Sequence, residues 1–216
     1  VNDQAHGMGH FWEKDGGSFE GAWENDLQQG FGIEQWPDGT RYEGTYHGGK
    51  KHGQGRFIWA DGSDFVGNFS ENDIHGEGIY RWIDGRCYTG QWDRNRFHGY
   101  GEMVWSDGRA FRGHYAEDKK HGEGCFRWAD GRQYVGQWKD GKQHGSGRYL
   151  NPSKKVREGE WANGQRTRWE KGERDLTPQD DFFTDPDLLN LRAKALAAGA
   201  TSGGATSGNT REGSDA

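Results

Sequence analysis

The sequence repeats every 23 residues, and this period limits the fold more than any other feature of the chain. A His-Gly dipeptide begins at His6, His52, His75, His98, His121 and His144, with Gln29-Gly30 filling the remaining slot, so seven starts keep one spacing. Asp-Gly follows nine residues later, at Asp15, Asp38, Asp61, Asp84, Asp107 and Asp130. An aromatic-x-Gly-x-aromatic unit holds the same step at Phe19/Trp23, Tyr42/Tyr46, Phe65/Phe69, Tyr88/Trp92, Phe111/Tyr115 and Tyr134/Trp138. Three landmarks in register describe a chain of stacked units, each covering its neighbour's apolar surface.

In the unit beginning at His52, Gly55, Phe57 and Trp59 fall on one face of an alternating run, and Gln54, Arg56 and Ile58 on the other. Asp61-Gly62 supplies a tight turn, and the return run places Phe65, Gly67 and Phe69 on one face. The expected fold is an all-β repeat: a single-layer elongated sheet of consecutive β-hairpins, about seven units of 23 residues. With 38 glycines and only 30% hydrophobic but 14% aromatic residues, burial must be local and aromatic. A single layer gives the rings no second sheet to pack on, so they must lie across their own. The internal glycines, unfavourable in a strand, are expected to be sockets for Trp and Tyr rings. The end units decay like capping repeats: Glu13 takes the tryptophan slot in the first, and Arg157 the tyrosine slot in the last.

The pattern Tyr-x-Gly-x-Trp, then Gly-x-x-His-Gly-x-Gly and Asp-Gly, as in YVGQWKDGKQHGSG at residues 134 to 147, resembles the MORN (membrane occupation and recognition nexus) repeat. The resemblance implies an array over residues 1–170, degenerate at both ends, with a groove along its length. It also implies a role as a membrane-apposed or cytoskeletal scaffold, a binder of a partner's helix, or a regulatory region such as those attached to lipid kinases. Residues 171–199 read as a linker and short C-terminal helix, with Asp185 as N-cap, Pro186 at its first position and Gly199 as its stop. That helix is expected to cover the groove or the open end of the sheet, or to compete there with a partner helix. Residues 200–216 have the composition of a disordered tail.

The net charge of −6 is unevenly spread: −9 over residues 1–80, +7 over 81–172 and −4 over the rest. After Asp-Gly, early units carry Gly17, Thr40 and Ser63, whereas later ones carry Arg86, Arg109 and Arg132, a ladder with rungs about 10 Å apart. With Arg81, Arg127, Lys119 and Lys120 they form a candidate anion strip, since arginine's fork suits phosphate or carboxylate. The alternative is a set of solvated turn residues. Occupants of such a strip would be an anionic membrane lipid, an acidic partner protein, or the acidic end of a second copy in a charge-paired homodimer. The candidate partner groove is lined by Phe57, Trp59, Tyr80, Trp82, Trp105, Phe126 and Trp128, and suits a helix.

Other chemistries find no support in the sequence. Equivalent histidines two strands apart are about 10 Å from one another, too far to share a metal. They are assigned to the turn between hairpins. The recurrent aspartates precede glycine, where their side chains bond the turn backbone. No phosphate loop or nucleophile stands out, so the chain reads as non-enzymatic, with neither cofactor nor metal. Cys87 and Cys125 read as free thiols. The acidic balance argues against nucleic acid. With no apolar run of about 18 residues and no leader, a cytoplasmic chain is expected, peripheral to membrane or cytoskeleton. The function expected is that of a scaffold or adaptor between proteins at a membrane-associated, cytoskeletal or ciliary structure. The alternative is a phosphoinositide-binding or regulatory module like the MORN regions of phosphatidylinositol phosphate kinases.

Overall fold

The computed structural model describes residues 4–177 and Asp180, and in it the chain forms one open antiparallel sheet of sixteen strands. The first fifteen pair in sequence order. Seven-residue strands (Ser18–Glu24, Arg41–His47, Asp64–Ser70, Cys87–Asp93, Ala110–Ala116, Gln133–Lys139) alternate with nine-residue ones (Leu27–Gln35, Lys50–Ile58, Asp73–Arg81, Arg96–Val104, Lys119–Arg127, Lys142–Leu150). The array opens with Gly7–Trp12 and closes with Lys155–Ala162, whose outer edge is shared by Gln165–Trp169 and the two-residue strand Arg174–Asp175.

Two kinds of turn join the strands. At the Asp-Gly turn, the Trp59 amide donates to the Ser63 carbonyl at 2.9 Å, while the Asp61 carboxylate accepts from the Ser63 amide at 2.8 Å. At the other margin two residues suffice, both left-handed: Glu71 at φ 53° and Asn72 at φ 77°. That backbone matches the right-handed twist of the strands it joins, and it explains why Asn, Asp or Gly always takes the second place. The second turn residue also clasps the preceding unit. The Asn95 side-chain Oδ1 accepts the Ile74 amide at 2.8 Å, and the Asn95 backbone amide donates to the Ile74 carbonyl at 2.9 Å.

Each unit carries one bulge. Gly44 pairs with Gly55 but Tyr46 pairs with Lys51, so Thr45 alone faces the three residues 52 to 54. Gly53 turns left-handed there, at φ 74°. His52 is therefore inside the strand Lys50–Ile58, and the histidines are not in turns as the sequence reading placed them. The strand begins two residues earlier than its alternation shows, because the compact turn closes there and the bulge disturbs the alternation.

The core is a line of rings on one face. Phe19, Tyr42, Phe65, Tyr88, Phe111 and Tyr134, all at most 3% exposed, each lie over a cross-strand pair of glycines, such as Gly44 and Gly55 beneath Tyr42. The sockets thus take the first aromatic of each unit, Phe or Tyr. Tryptophan takes the second aromatic position instead, as Trp92 and Trp138 do. The second aromatic packs edge-on against the first, as Trp92 does against Tyr88 at 5.1 Å, a pairing worth about 0.5–1.5 kcal/mol beyond its buried area. Where the socket ring is tyrosine, its hydroxyl donates to a backbone carbonyl beside the bulge: Tyr88 to Gln91 at 2.9 Å. Burial holds that phenol well above its ordinary pKa, so it remains a donor.

On the opposite face the described chain ends in a polar anchor. The buried Asp180 carboxylate receives Arg148 at 2.8 Å, Arg174 at 2.7 Å, and the Thr177 amide and hydroxyl at 2.9 and 2.7 Å. These donors hold its pKa well below the carboxylate range, Arg174 first among them. The C-terminal helix and tail expected from the sequence lie outside the described residues.

Candidate functional site

The residues assigned to the partner groove share the aromatic face, just beyond the sockets. Centroid separations run 5.7 Å from Trp36 to Phe57, 4.6 Å to Trp59, 4.8 Å to Tyr80 and 4.4 Å to Trp82. A second stretch runs from Trp105 to Phe126 at 5.9 Å and on to Trp128 at 4.8 Å. Between the stretches the lattice position of Tyr80 and Phe126 is held by Met103, a flexible side chain in place of a ring. Phe126 is buried, while the other groove residues are half-buried. The outcome is a rigid aromatic ribbon with accessible ring surface on a fixed backbone.

The arginine ladder occupies the Asp-Gly margin, and each rung is already engaged. Nε of Arg86, Arg109 and Arg132 lies 2.7, 2.7 and 2.6 Å from the carboxylate of Asp84, Asp107 and Asp130 in its own turn. Their guanidinium carbons stand over Trp82, Trp105 and Trp128 at 4.9, 5.4 and 5.4 Å. The Arg86 amide, donating to Asp84, is the largest reason why that carboxyl titrates below its ordinary range. The ladder is therefore three neutral pairs lying against tryptophan.

The other basic candidates scatter. Arg81 sits on the opposite face and pairs with Asp64 at 3.1 Å. Arg127 is on that face too, opposite Ala110 and Gln133. Lys119 is exposed across from Ala116, whereas Lys120, across from Tyr115, turns onto the aromatic face. Its ammonium lies 4.7 Å from the ring centre of Phe126 and 5.2 Å from those of Phe111 and Trp138. Burial, with Arg109 nearby, pushes its pKa down to about 8. Two adjacent lysines thus do unlike things, because neighbours in a strand point to opposite faces. Among the described residues, no group of three or more His, Cys, Asp or Glu side chains could hold a metal ion.

The family model for the MORN repeat matches seven segments: residues 19–41, 42–64, 65–85, 88–108, 111–131, 134–155 and 158–167. The chain belongs to the MORN-repeat family. Six of the matched segments open on a socket ring, so each MORN unit is a short strand, the compact turn and a long strand. MORN repeats as a family are generally non-catalytic and build membrane- and protein-interaction scaffolds. Among the described residues no helix is long and apolar enough to cross a membrane. No curated protein sequence matches this MORN chain. Solved structures with some likeness include the wild-type TCP10 domain of Danio rerio CPAP, at 13% identity and TM-score 0.28, covering 80% of this chain and 92% of that one. A streptogramin B lyase structure follows at 10% identity and TM-score 0.18, with coverage of 82% and 72%. Overlaps that shallow carry no weight here for fold or function.

Proposed function

We propose that this MORN chain is a non-enzymatic scaffold or adaptor that presents its aromatic face to a partner protein at a membrane-associated, cytoskeletal or ciliary structure. The observation behind this reading is the ribbon from Trp36 to Trp82, half-buried rings in mutual contact on a sheet that fixes their spacing. Aromatic side chains offer large contact area at small entropic cost, so they dominate binding surfaces. An apolar or amphipathic segment laid along the ribbon would meet rings from successive units.

Recognition of phosphoinositides stands second. Its support is the alignment of Arg86, Arg109 and Arg132 on one margin, and their terminal guanidinium nitrogens could still meet phosphate. Against it, each of the three is already half of an ion pair. Co-sedimentation with phosphoinositide vesicles at low and moderate salt, native chain against the R86E/R109E/R132E variant, separates the readings. The scaffold reading expects no sedimentation of either protein. Salt-sensitive sedimentation lost in the variant would replace it with a membrane-recognition module.

A further inference from the structure

We propose that the aromatic face is built to receive an acidic side chain from its protein partner, and that Lys120 binds it. The proposal rests on the reading of that face as the partner surface and specifies the chemistry of what docks there.

Lys51 and Lys120 occupy the same lattice position three periods apart, and both ammonium groups lie among rings. Lys51 is 4.9 Å from the ring centre of Trp36 and 5.1 Å from that of Tyr42. It has its own acid: Glu34 Oε2 stands 2.6 Å away and also accepts from the Tyr46 hydroxyl at 2.9 Å. Three periods beyond Glu34 the chain has Met103. Among the described residues, no carboxylate lies within ion-pair distance of Lys120, and the charge that acts on it is Arg109, of the same sign. Among the described residues the fold therefore displays one site twice, once with its acid and once without.

A cation kept in such a place is unfavourable for the free chain. The two intervening units put Ile74, buried, and Phe97, half-buried, at this position, neither bringing a charge. An acid brought in by a partner would remove the penalty. Rings that exclude water around the ammonium would strengthen the new pair, as charge-assisted hydrogen bonds gain in a drier setting. The occupant is thus a protein segment with an Asp or Glu flanked by apolar residues. Its apolar part would lie over the half-buried Phe97, and its acid about 10 Å farther along the sheet, one unit on. The site also supplies specificity, because a segment with no acid leaves Lys120 unpaired beneath it.

The test uses the full chain with its lysines reductively methylated with carbon-13, a change that keeps their charge. The Lys120 signal is assigned by its loss in the K120M variant and followed by NMR during pH titration. The probes are an acetylated, amidated leucine pentapeptide with Glu at its centre and the same peptide with Gln. The Glu peptide is expected to raise the pKa of Lys120 by about one pH unit or more and to bind about tenfold tighter than its Gln twin. Lys51, already paired with Glu34, should not respond. A Lys120 signal that neither peptide moves, or that both move alike, overturns the proposal. The scaffold reading fails separately, if partners crosslink from other surfaces of the chain.

Discussion

The ring of Tyr88 occupies the place where Gly101 would carry a side chain: a β-carbon there would stand 2.4 Å from the phenol oxygen and 2.6 Å from Cζ. Ring and missing side chain together replace the second layer that a sheet ordinarily needs. The glycines give up strand propensity, and the buried aromatic surface more than offsets it.

The socket account predicts unequal effects at equivalent positions. Gly9 and Gly101 are four periods apart, but the nearest atom to a β-carbon at Gly9 is Trp23 Cδ1 at 3.4 Å. Gly101→Ala should lower the unfolding free energy by about 1–3 kcal/mol through overpacking, and Gly9→Ala should change it by less than about 0.5 kcal/mol. Urea denaturation of both variants checks this, and equal losses would refute the sockets.

The clasp between units gives a second prediction. Asn95 combines a left-handed backbone at φ 66° with its bonds to Ile74. Asn95→Gly keeps the conformation and loses both side-chain bonds, from the Ile74 amide and to the exposed Asp73 carboxylate, and should destabilise by about 0.5–1.5 kcal/mol. Asn95→Ala loses the same bonds and adds left-handed strain, for about 1–2 kcal/mol more. Thermal melts that rank glycine below alanine would place the role of Asn95 elsewhere.

Acid sensitivity follows from the turns. Backbone amides donating to Asp38 and Asp84, and the Ser63 hydroxyl and amide donating to Asp61, hold these carboxyls below their ordinary pKa in the folded chain. The unfolded chain binds protons first, so the stabilisation is complete above about pH 4 and disappears as pH falls through the lowered folded values. The melting temperature should drop between about pH 4 and 2, and D61N/D84N should flatten that drop. An unchanged slope in the double variant would show that other carboxyls govern acid unfolding.

Lys120 should act in the opposite range. Its folded pKa of about 8 lies below the ordinary lysine value, because burial and Arg109 disfavour the charged form. Below pH 8 the folded chain carries that penalty, and it fades as pH rises toward about 10.4. Lys120→Met should therefore be more stable than the native chain at pH 7, and the difference should shrink by pH 10. A variant less stable at pH 7 would mean that the cation–π contacts outweigh the burial.

Much of this architecture was legible in the period alone. The landmarks at His52, Asp61 and Phe65 place both strands of the unit and the wide turn between them, since alternation and turn chemistry agree there. Two things were hidden for physical reasons. The compact turns, such as Glu71-Asn72, interrupt no apolar pattern, although their recurrent Asn, Asp and Gly were a usable signal. The fates of Lys119 and Lys120 depend on strand register, which a run of two lysines does not reveal. Comparing Glu34 with Met103 across three periods would have shown that the acid beside Lys51 is not repeated beside Lys120. The self-pairing of Arg86 with Asp84 was hidden as well, because it depends on how the turn aims two side chains that are two residues apart.

The most direct test of the scaffold reading is photo-crosslinking in cells, with p-benzoylphenylalanine placed at Trp82 or at Arg81, consecutive residues on opposite faces of the sheet. The account predicts that the probe at Trp82 captures a discrete protein partner and that the probe at Arg81 does not. Capture from position 81 alone would contradict it and move the partner surface to the opposite face.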